Sequence, residues 1–181
     1  MSFKATPYQI PGLLLIEGRS FPDERGVFME SFRDDESCAL GLPPLVQDNL
    51  SRSRKGVLRG LHFQKPSMPV GKLVRCVRGR IFDVAVDLRR GSACFGRWAA
   101  IELSDEGNRM FWIPAGFAHG FCVLSDQADV LYKVTGYWKS EVDGGIRWDD
   151  PALGIPWPER RPIITPKDAA LPLLAEAGDL F

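Results

Sequence analysis

Ile81-Phe82-Asp83-Val84-Ala85-Val86-Asp87-Leu88 is the stretch whose reading decides the fold. Phe82, Val84, Val86 and Leu88 fall on one face of a two-residue repeat, and Asp83 and Asp87 fall on the other, which is the periodicity of a β-strand. Arg78-Gly79, just upstream, reads as a tight turn out of residues 72–77, so the two runs form a hairpin. Working outward, strands are expected over residues 13–16, 26–32, 57–64, 95–103, 110–113, 120–124 and 130–137. Gly and Pro punctuate the gaps at Pro43-Pro44, Pro66, Pro69, Gly91, Pro114, Gly116 and Gly144-Gly145. Many short strands so spaced predict an all-β sandwich or barrel. Two helices are expected, near residues 34–40 and 166–175, the first with acidic residues in its opening turn as the helix dipole favours. No linker, repeat or low-complexity stretch interrupts the chain, so a single domain over residues 1–181 is expected.

Composition agrees with a soluble globular domain: 181 residues, 45% hydrophobic and 25% charged. The 23 Lys and Arg balance the 23 Asp and Glu, so no basic excess points to nucleic acid, although a local basic pocket would still suit a phosphate. No apolar run approaches the roughly 18 residues of a membrane span. Met1 to Ile10 lack the charged-then-apolar pattern of a secretory signal, and a cytoplasmic location is expected. Cys38, Cys76, Cys94 and Cys122 form no CxxC pair and read as free thiols, with Cys76 and Cys122 as small core residues.

The chain has only two histidines, His62 and His119. The ordinary fate of either is a hydrogen-bonded core position. His62, however, lies on an expected strand, on the same face as Leu58 and Gln64 by simple alternation. His119 ends Pro114-Ala115-Gly116-Phe117-Ala118-His119, which resembles the second motif of the cupin jelly rolls, where this histidine points into the barrel. Metal-binding cupins add His-x-His and a Glu, whereas here Leu61-His62-Phe63-Gln64 offers one histidine and no neighbouring Glu. A metal site generally draws three or four suitable ligands, so a catalytic metal is not expected. Acid–base chemistry by histidine is the alternative, since imidazole titrates near neutrality. A base beside a carbonyl creates an enolate, which needs a cation or hydrogen-bond donor. Lys72 is the best cationic candidate, and Tyr132, flanked by Val130 and Val134, is a candidate acid for the opposite face. A solvated lysine and a core tyrosine are the blander readings. Periodicity does not select, from 23 acidic residues, the carboxylate that would orient the histidine.

Several ordered segments resemble the dTDP-4-dehydrorhamnose 3,5-epimerase family. They include Phe21-Pro22-Asp23-Glu24-Arg25-Gly26, Gln47-Asp48-Asn49-Leu50-Ser51-Arg52, Gly56-Val57-Leu58-Arg59-Gly60-Leu61-His62 and Gly71-Lys72-Leu73-Val74-Arg75. Asp83 to Arg89, Tyr132-Lys133-Val134-Thr135-Gly136-Tyr137-Trp138, Trp148-Asp149-Asp150-Pro151 and Lys167-Asp168 continue the match almost to the end. The resemblance implies a cupin-like jelly-roll homodimer acting, without a cofactor, on dTDP-4-keto-6-deoxy-D-glucose to give dTDP-4-keto-L-rhamnose. It implies His62 as the base for carbons 3 and 5, Asp168 as its orienting partner, Lys72 as the enolate stabiliser and Tyr132 as the acid. Arg59 would face the diphosphate and His119 the sugar, with Gln47 and Asn49 contacting substrate or diphosphate. Phe21, Arg25 and Glu30 would reach the neighbouring subunit's nucleotide, and Trp138 would lie beside thymine.

Other readings stand beside these. Phe21 and Trp138 also suit apolar packing, Arg25 and Glu30 a surface ion pair, and Gln47 and Asn49 a turn. Met68-Pro69-Val70 is less polar than the family pattern leads one to expect before Gly71-Lys72. Strict alternation places Arg59 and His62 on opposite faces, so a bulge at Gly60 is expected if both serve one site. Rival functions are a single-carbon epimerase, a 3,4-ketoisomerase, a metal cupin oxygenase and a non-catalytic sugar-nucleotide-binding barrel.

Overall fold

The computed structural model describes residues 2–181, so Met1 alone lies outside it. The strands are β1 (Phe3–Pro7), β2 (Leu14–Gly18), β3 (Ser20–Asp23), β4 (Gly26–Met29), β5 (Gln47–Arg54), β6 (Leu58–Gln64) and β7 (Lys72–Arg78). They continue with β8 (Arg80–Asp87), β9 (Trp98–Ser104), β10 (Arg109–Ile113), β11 (Phe117–Val123), β12 (Gln127–Val134) and β13 (Asp143–Gly145). Two short helices, α1 (Asp34–Ala39) and α2 (Pro166–Ala169), complete the chain with one 3-10 turn at Ser140–Val142. A six-stranded sheet in the order β1-β2-β10-β7-β12-β5 faces a five-stranded sheet in the order β13-β6-β11-β8-β9. The pairs within both sheets are antiparallel, and the all-β jelly-roll expectation holds.

The stretch from Ile81 to Leu88 explains how the layers stack. Ile81 and Ala85 pack between the sheets with Val74, Phe111, Phe121 and Val130. Phe82, Val84, Val86 and Leu88 point the other way, to the outer face of the five-stranded sheet. There Ile146, Leu153 and Trp157 from the C-terminal segment cover them. The strand is therefore buried on both faces, and Asp83 and Asp87 are fully buried too. The aspartates look inward, not toward solvent as the alternation alone suggests. Asp87 is held there by Arg89 and by the Ser92 hydroxyl. A third apolar cluster, with Phe3, Ile16, Leu42, Leu73, Met110 and Trp112, covers part of the outer face of the six-stranded sheet.

The structure moves several expected boundaries. The helix expected over 166–175 ends at Ala169, because Pro172 lacks an amide donor and disfavours helical backbone at Leu171. The strand expected over 26–32 stops at Met29, where the Asn108 amide takes the carbonyls of Glu30 and Arg19. The strand expected from residue 95 starts at Trp98, after a turn with Gly96 at φ +74°. The strand expected over 130–137 shifts to Gln127–Val134. Strands β1, β3, β5 and β13 carry no apolar alternation that announces them. In β5 the inward positions are Gln47, Asn49, Ser51 and Ser53, paired with the interior face of β12. Gln47 and Asn49 are thus strand residues and not turn residues.

Gly60 is the point at which β6 departs from regular pairing. Between the partners His119↔His62 and Phe121↔Arg59, β11 advances two residues and β6 three. That is a bulge, and it turns Arg59 onto the same inner face as His62. Gly60 has φ +120°, and a Cβ built on it would lie 2.6 Å from the Gly120 Cα and 2.7 Å from the His119 carbonyl oxygen. Neither backbone atom can yield without breaking the sheet. Gly60→Ala is expected to lower the unfolding free energy by about 2 kcal/mol or more, read from urea denaturation; an unchanged midpoint would show that the strands do not need this close approach.

Candidate active site

The bulge sets the inner face of β6, and the neighbouring elements complete a site on it. His62 Nε2 is 2.8 Å from Asp168 Oδ1. Asp168 sits in the first turn of α2, whose N-cap Thr165 accepts a hydrogen bond from the Asp168 amide at 3.1 Å through its hydroxyl. The Gly60 amide reaches the second carboxylate oxygen at 3.4 Å. The bulge glycine thus touches both the strand opposite and the carboxylate. Thr165-Pro166-Lys167-Asp168 has the threonine, proline and acidic residue of a helix start, so the cap was readable in the sequence although its purpose was not.

Burial acts to raise the Asp168 carboxyl, but the His62 hydrogen bond and charge, the Gly60 amide and Thr165 outweigh it and hold the group below the usual carboxylate range. An ionised Asp168 accepts, so Nε2 carries the imidazole proton and Nδ1 keeps the lone pair. The imidazole is a third exposed, the carboxylate almost fully buried. The pair therefore presents a basic nitrogen to solvent-accessible space while its partner stays fixed.

Lys72, at the start of β7, donates from Nζ to the His62 carbonyl oxygen at 3.2 Å. Burial lowers its ammonium to about 8, with Asp143 and Asp83 acting to raise it. Tyr132 on β12 has its phenol raised by burial, with Arg59 lowering it and Asp143 raising it. His119 is buried, and desolvation lowers its pKa against the opposing pull of Asp83. Arg59 Nε donates to the Ser53 hydroxyl at 3.0 Å.

These groups surround two adjoining chambers that share His62, Lys72, Tyr132 and Lys167 as walls. One, of about 330 Å³, adds Asn49, Gln64, Val70, Trp138 and Asp143. The other, of about 300 Å³, adds Ser51, Arg59, His119, Phe121, Thr165 and Asp168. The His62 imidazole and the Tyr132 phenol come from different sheets, so they stand on facing walls. Gln47 lines neither chamber; its amide nitrogen bonds the Asn49 side chain and its carbonyl oxygen accepts from the Trp138 amide at 3.3 Å. Phe21, Arg25 and Glu30 are not brought to this site in the same chain. Phe21 is half-exposed on the β3–β4 hairpin, Arg25 is ion-paired with Asp23, and Glu30 lies 3.5 Å from Arg33.

Sequence reasoning gave no role to Lys167 and Asp143, whose 2.6 Å ion pair crosses the site, nor to Asp83. Lys167 at least adjoins Asp168; nothing in the sequence marks Asp143, which arrives on the unannounced strand β13. Buried Ser51 Oγ and Gln64 Oε1, both on residues lining the chambers, have no partner among the described residues. Among those residues no group of three or more His, Cys, Asp or Glu side chains converges as a metal site would.

Residues 7–176 match the family model described as dTDP-4-dehydrorhamnose 3,5-epimerase. The chain belongs to that family. A dTDP-4-dehydrorhamnose 3,5-epimerase of Pseudomonas aeruginosa is 51% identical over 96% of this chain and 97% of its own. The solved dTDP-6-deoxy-D-glucose-3,5-epimerase of Legionella pneumophila, in complex with dTDP-4-keto-L-rhamnose, is 48% identical. It superposes with a TM-score of 0.91, covering 96% of this chain and 94% of that one. A dTDP-4-dehydrorhamnose 3-epimerase of Streptomyces niveus is 41% identical over 96% of this chain and 84% of its own. The family is one of carbohydrate epimerases, and the jelly roll described above is its fold.

The depressed Asp168 carboxyl has a consequence for stability. Its contribution is complete above the unfolded aspartate value of about 3.9 and is lost as pH falls through the lower folded value. The difference in urea midpoint between the wild type and Asp168→Asn is therefore expected to shrink as pH falls below about 4. A difference that stays undiminished well below that value would contradict a lowered Asp168 carboxyl.

Proposed function

We infer that the protein is a dTDP-4-dehydrorhamnose 3,5-epimerase, converting dTDP-4-keto-6-deoxy-D-glucose to dTDP-4-keto-L-rhamnose. The observation that carries this reading is the His62–Asp168 pair at 2.8 Å, set against Tyr132 on the facing wall with the Lys72 ammonium beside both. His62 Nδ1 takes the proton from the carbon next to the ketone. The C–H electron pair moves into the carbonyl to give an enolate, whose oxygen the Lys72 ammonium stabilises. Tyr132 delivers a proton to the opposite face, and the electron pair returns to carbon, inverting it. The same cycle serves carbon 5 and carbon 3, which both flank carbon 4. No oxidant or metal enters this proton balance.

Arg59 suits the diphosphate, His119 the sugar, and Trp138, more than half exposed at the chamber wall, the thymine ring. Asn49 lines the first chamber, and Gln47 holds Asn49 and the Trp138 segment in place. In this reading the protein acts as a homodimer in the cytoplasm, and Phe21, Arg25 and Glu30 approach the nucleotide of the neighbouring subunit. The solvent-exposed Phe21, Val27 and Phe28 of the hairpin support that arrangement, as does the fact that no hairpin residue lines either chamber of its own chain. Among the described residues no helix is long and apolar enough to cross a membrane.

A second reading, inversion of carbon 3 alone, is favoured by the similarity to the Streptomyces niveus 3-epimerase. Incubation of the keto-sugar nucleotide in heavy water separates the two. Deuterium at both carbons is expected; deuterium at carbon 3 alone would select the second reading, and none at either would sink both. His62→Ala is expected to cut exchange at least about a hundredfold while dTDP binding survives. Tyr132→Phe is expected to retain exchange but lose inversion, so that label appears in recovered substrate.

The ammonium form of Lys72 is the active one, and it is lost as pH rises through about 8. The rate constant kcat/KM is expected to fall on the alkaline side with an apparent pKa near 8. A flat profile to pH 10 would remove Lys72 from the role (about two units beyond that value).

A further inference from the structure

A second histidine–carboxylate pair lies at the floor of the second chamber, and the reaction as derived gives its carboxylate no task. His119 and His62 are directly opposed across β11 and β6, so their rings share the inner face. His119 Nε2 lies 3.1 Å and 2.9 Å from the two oxygens of Asp83. Asp83 sits on β8 opposite Phe121, between the inward apolar residues Ile81 and Ala85, with no solvent contact. An ionised carboxylate in such a place is strongly disfavoured unless a partner is fixed for it. Among the described residues His119 is the one side chain that hydrogen-bonds it.

We propose that Asp83 is a positioning residue for the epimerisation: it fixes His119 with its proton on Nε2, so that Nδ1 offers the sugar a hydrogen-bond acceptor on the face shared with His62. This rests on the epimerase reading of the site. The direction of the Nε2–H toward a carboxylate decides the tautomer. A neutral His119 then recognises a sugar hydroxyl and does not compete with Lys72 for the enolate oxygen. Burial keeps it neutral, and the nearby Lys72 and His62 act in the same sense.

Lys72 feels the groups on every element around it. Asp83 on β8 and Asp143 on β13 raise its pKa, while its own burial lowers it. His62 on β6, His119 on β11, Tyr132 on β12, and Lys167 and Asp168 on α2 complete its surroundings, with Arg59 further along the second chamber. Asp143 is ion-paired with Lys167, so its charge is already shared. Asp83 acts on Lys72 in the same sense as Asp143 and after it.

Asp83→Asn keeps the size and removes the charge. Its kcat is expected to fall at least about tenfold with KM changed less than about threefold, and the alkaline limb is expected to move toward lower pH by about half a unit or more. An active wild type with an equally active variant and an unmoved limb overturns the Asp83 role alone. A wild type that takes up no deuterium from heavy water overturns the epimerase reading with it. A buried substitution can prevent folding, so nitrogen-15 spectra of the wild type provide a second test. The chain has only two histidines, which His62→Ala distinguishes. His119 is expected as the neutral Nε2–H form from about pH 6 to pH 9. The Nδ1–H form, or an imidazolium across that range, overturns the proposal.

Discussion

The close approach of β6 and β11 at Gly60 and Gly120 is the constraint on which the rest depends. With no side chain on either residue, the strands come near enough for β6 to carry one extra residue. That residue reverses the alternation, and Arg59 and His62 share a face. The Gly60 amide also helps hold the carboxylate that orients the imidazole. One backbone irregularity therefore links sheet geometry, side-chain direction and the hydrogen-bonding partner of His62. A regular strand would keep the hydrophobic pattern and lose the site.

The division of labour between the sheets follows from this. The five-stranded sheet supplies the two histidines and Arg59, and the six-stranded sheet supplies Lys72 and Tyr132. The His62 imidazole and the Tyr132 phenol therefore stand on opposite sides of the space between the layers. The interior is apolar at one end, where Phe111, Ile81 and Val130 pack, and polar at the other, where β5 presents amides and hydroxyls. Charged groups are tolerated inside because each has a fixed partner: Asp168 with His62, Asp83 with His119, and Asp143 with Lys167.

Periodicity exposed the strands that carry apolar side chains. It missed β5 because a strand lining a wet cavity has no apolar side to display. It misplaced the polar side of Ile81–Leu88 because alternation reports two faces without saying what covers them. Here the C-terminal segment covers the apolar face, and the aspartates point to the interior. Counting histidines argued against a metal site in the sequence, but no local pattern connected His62 with a carboxylate 106 residues away. Family resemblance named Asp168; only the folded chain shows how Thr165 and Gly60 hold it.

The placement of Asp168 also ties the inner face of the five-stranded sheet to its outer cover. All thirteen strands precede it, and it arrives on a segment that packs over the outside of the five-stranded sheet. The facing walls that carry His62 and Tyr132 belong to the two sheets, whereas the carboxylate belongs to their outer cover. Without that cover in place the imidazole has no carboxylate to select its tautomer. The packing of an outer segment is thereby coupled to the hydrogen-bonding state of a side chain on the inner face.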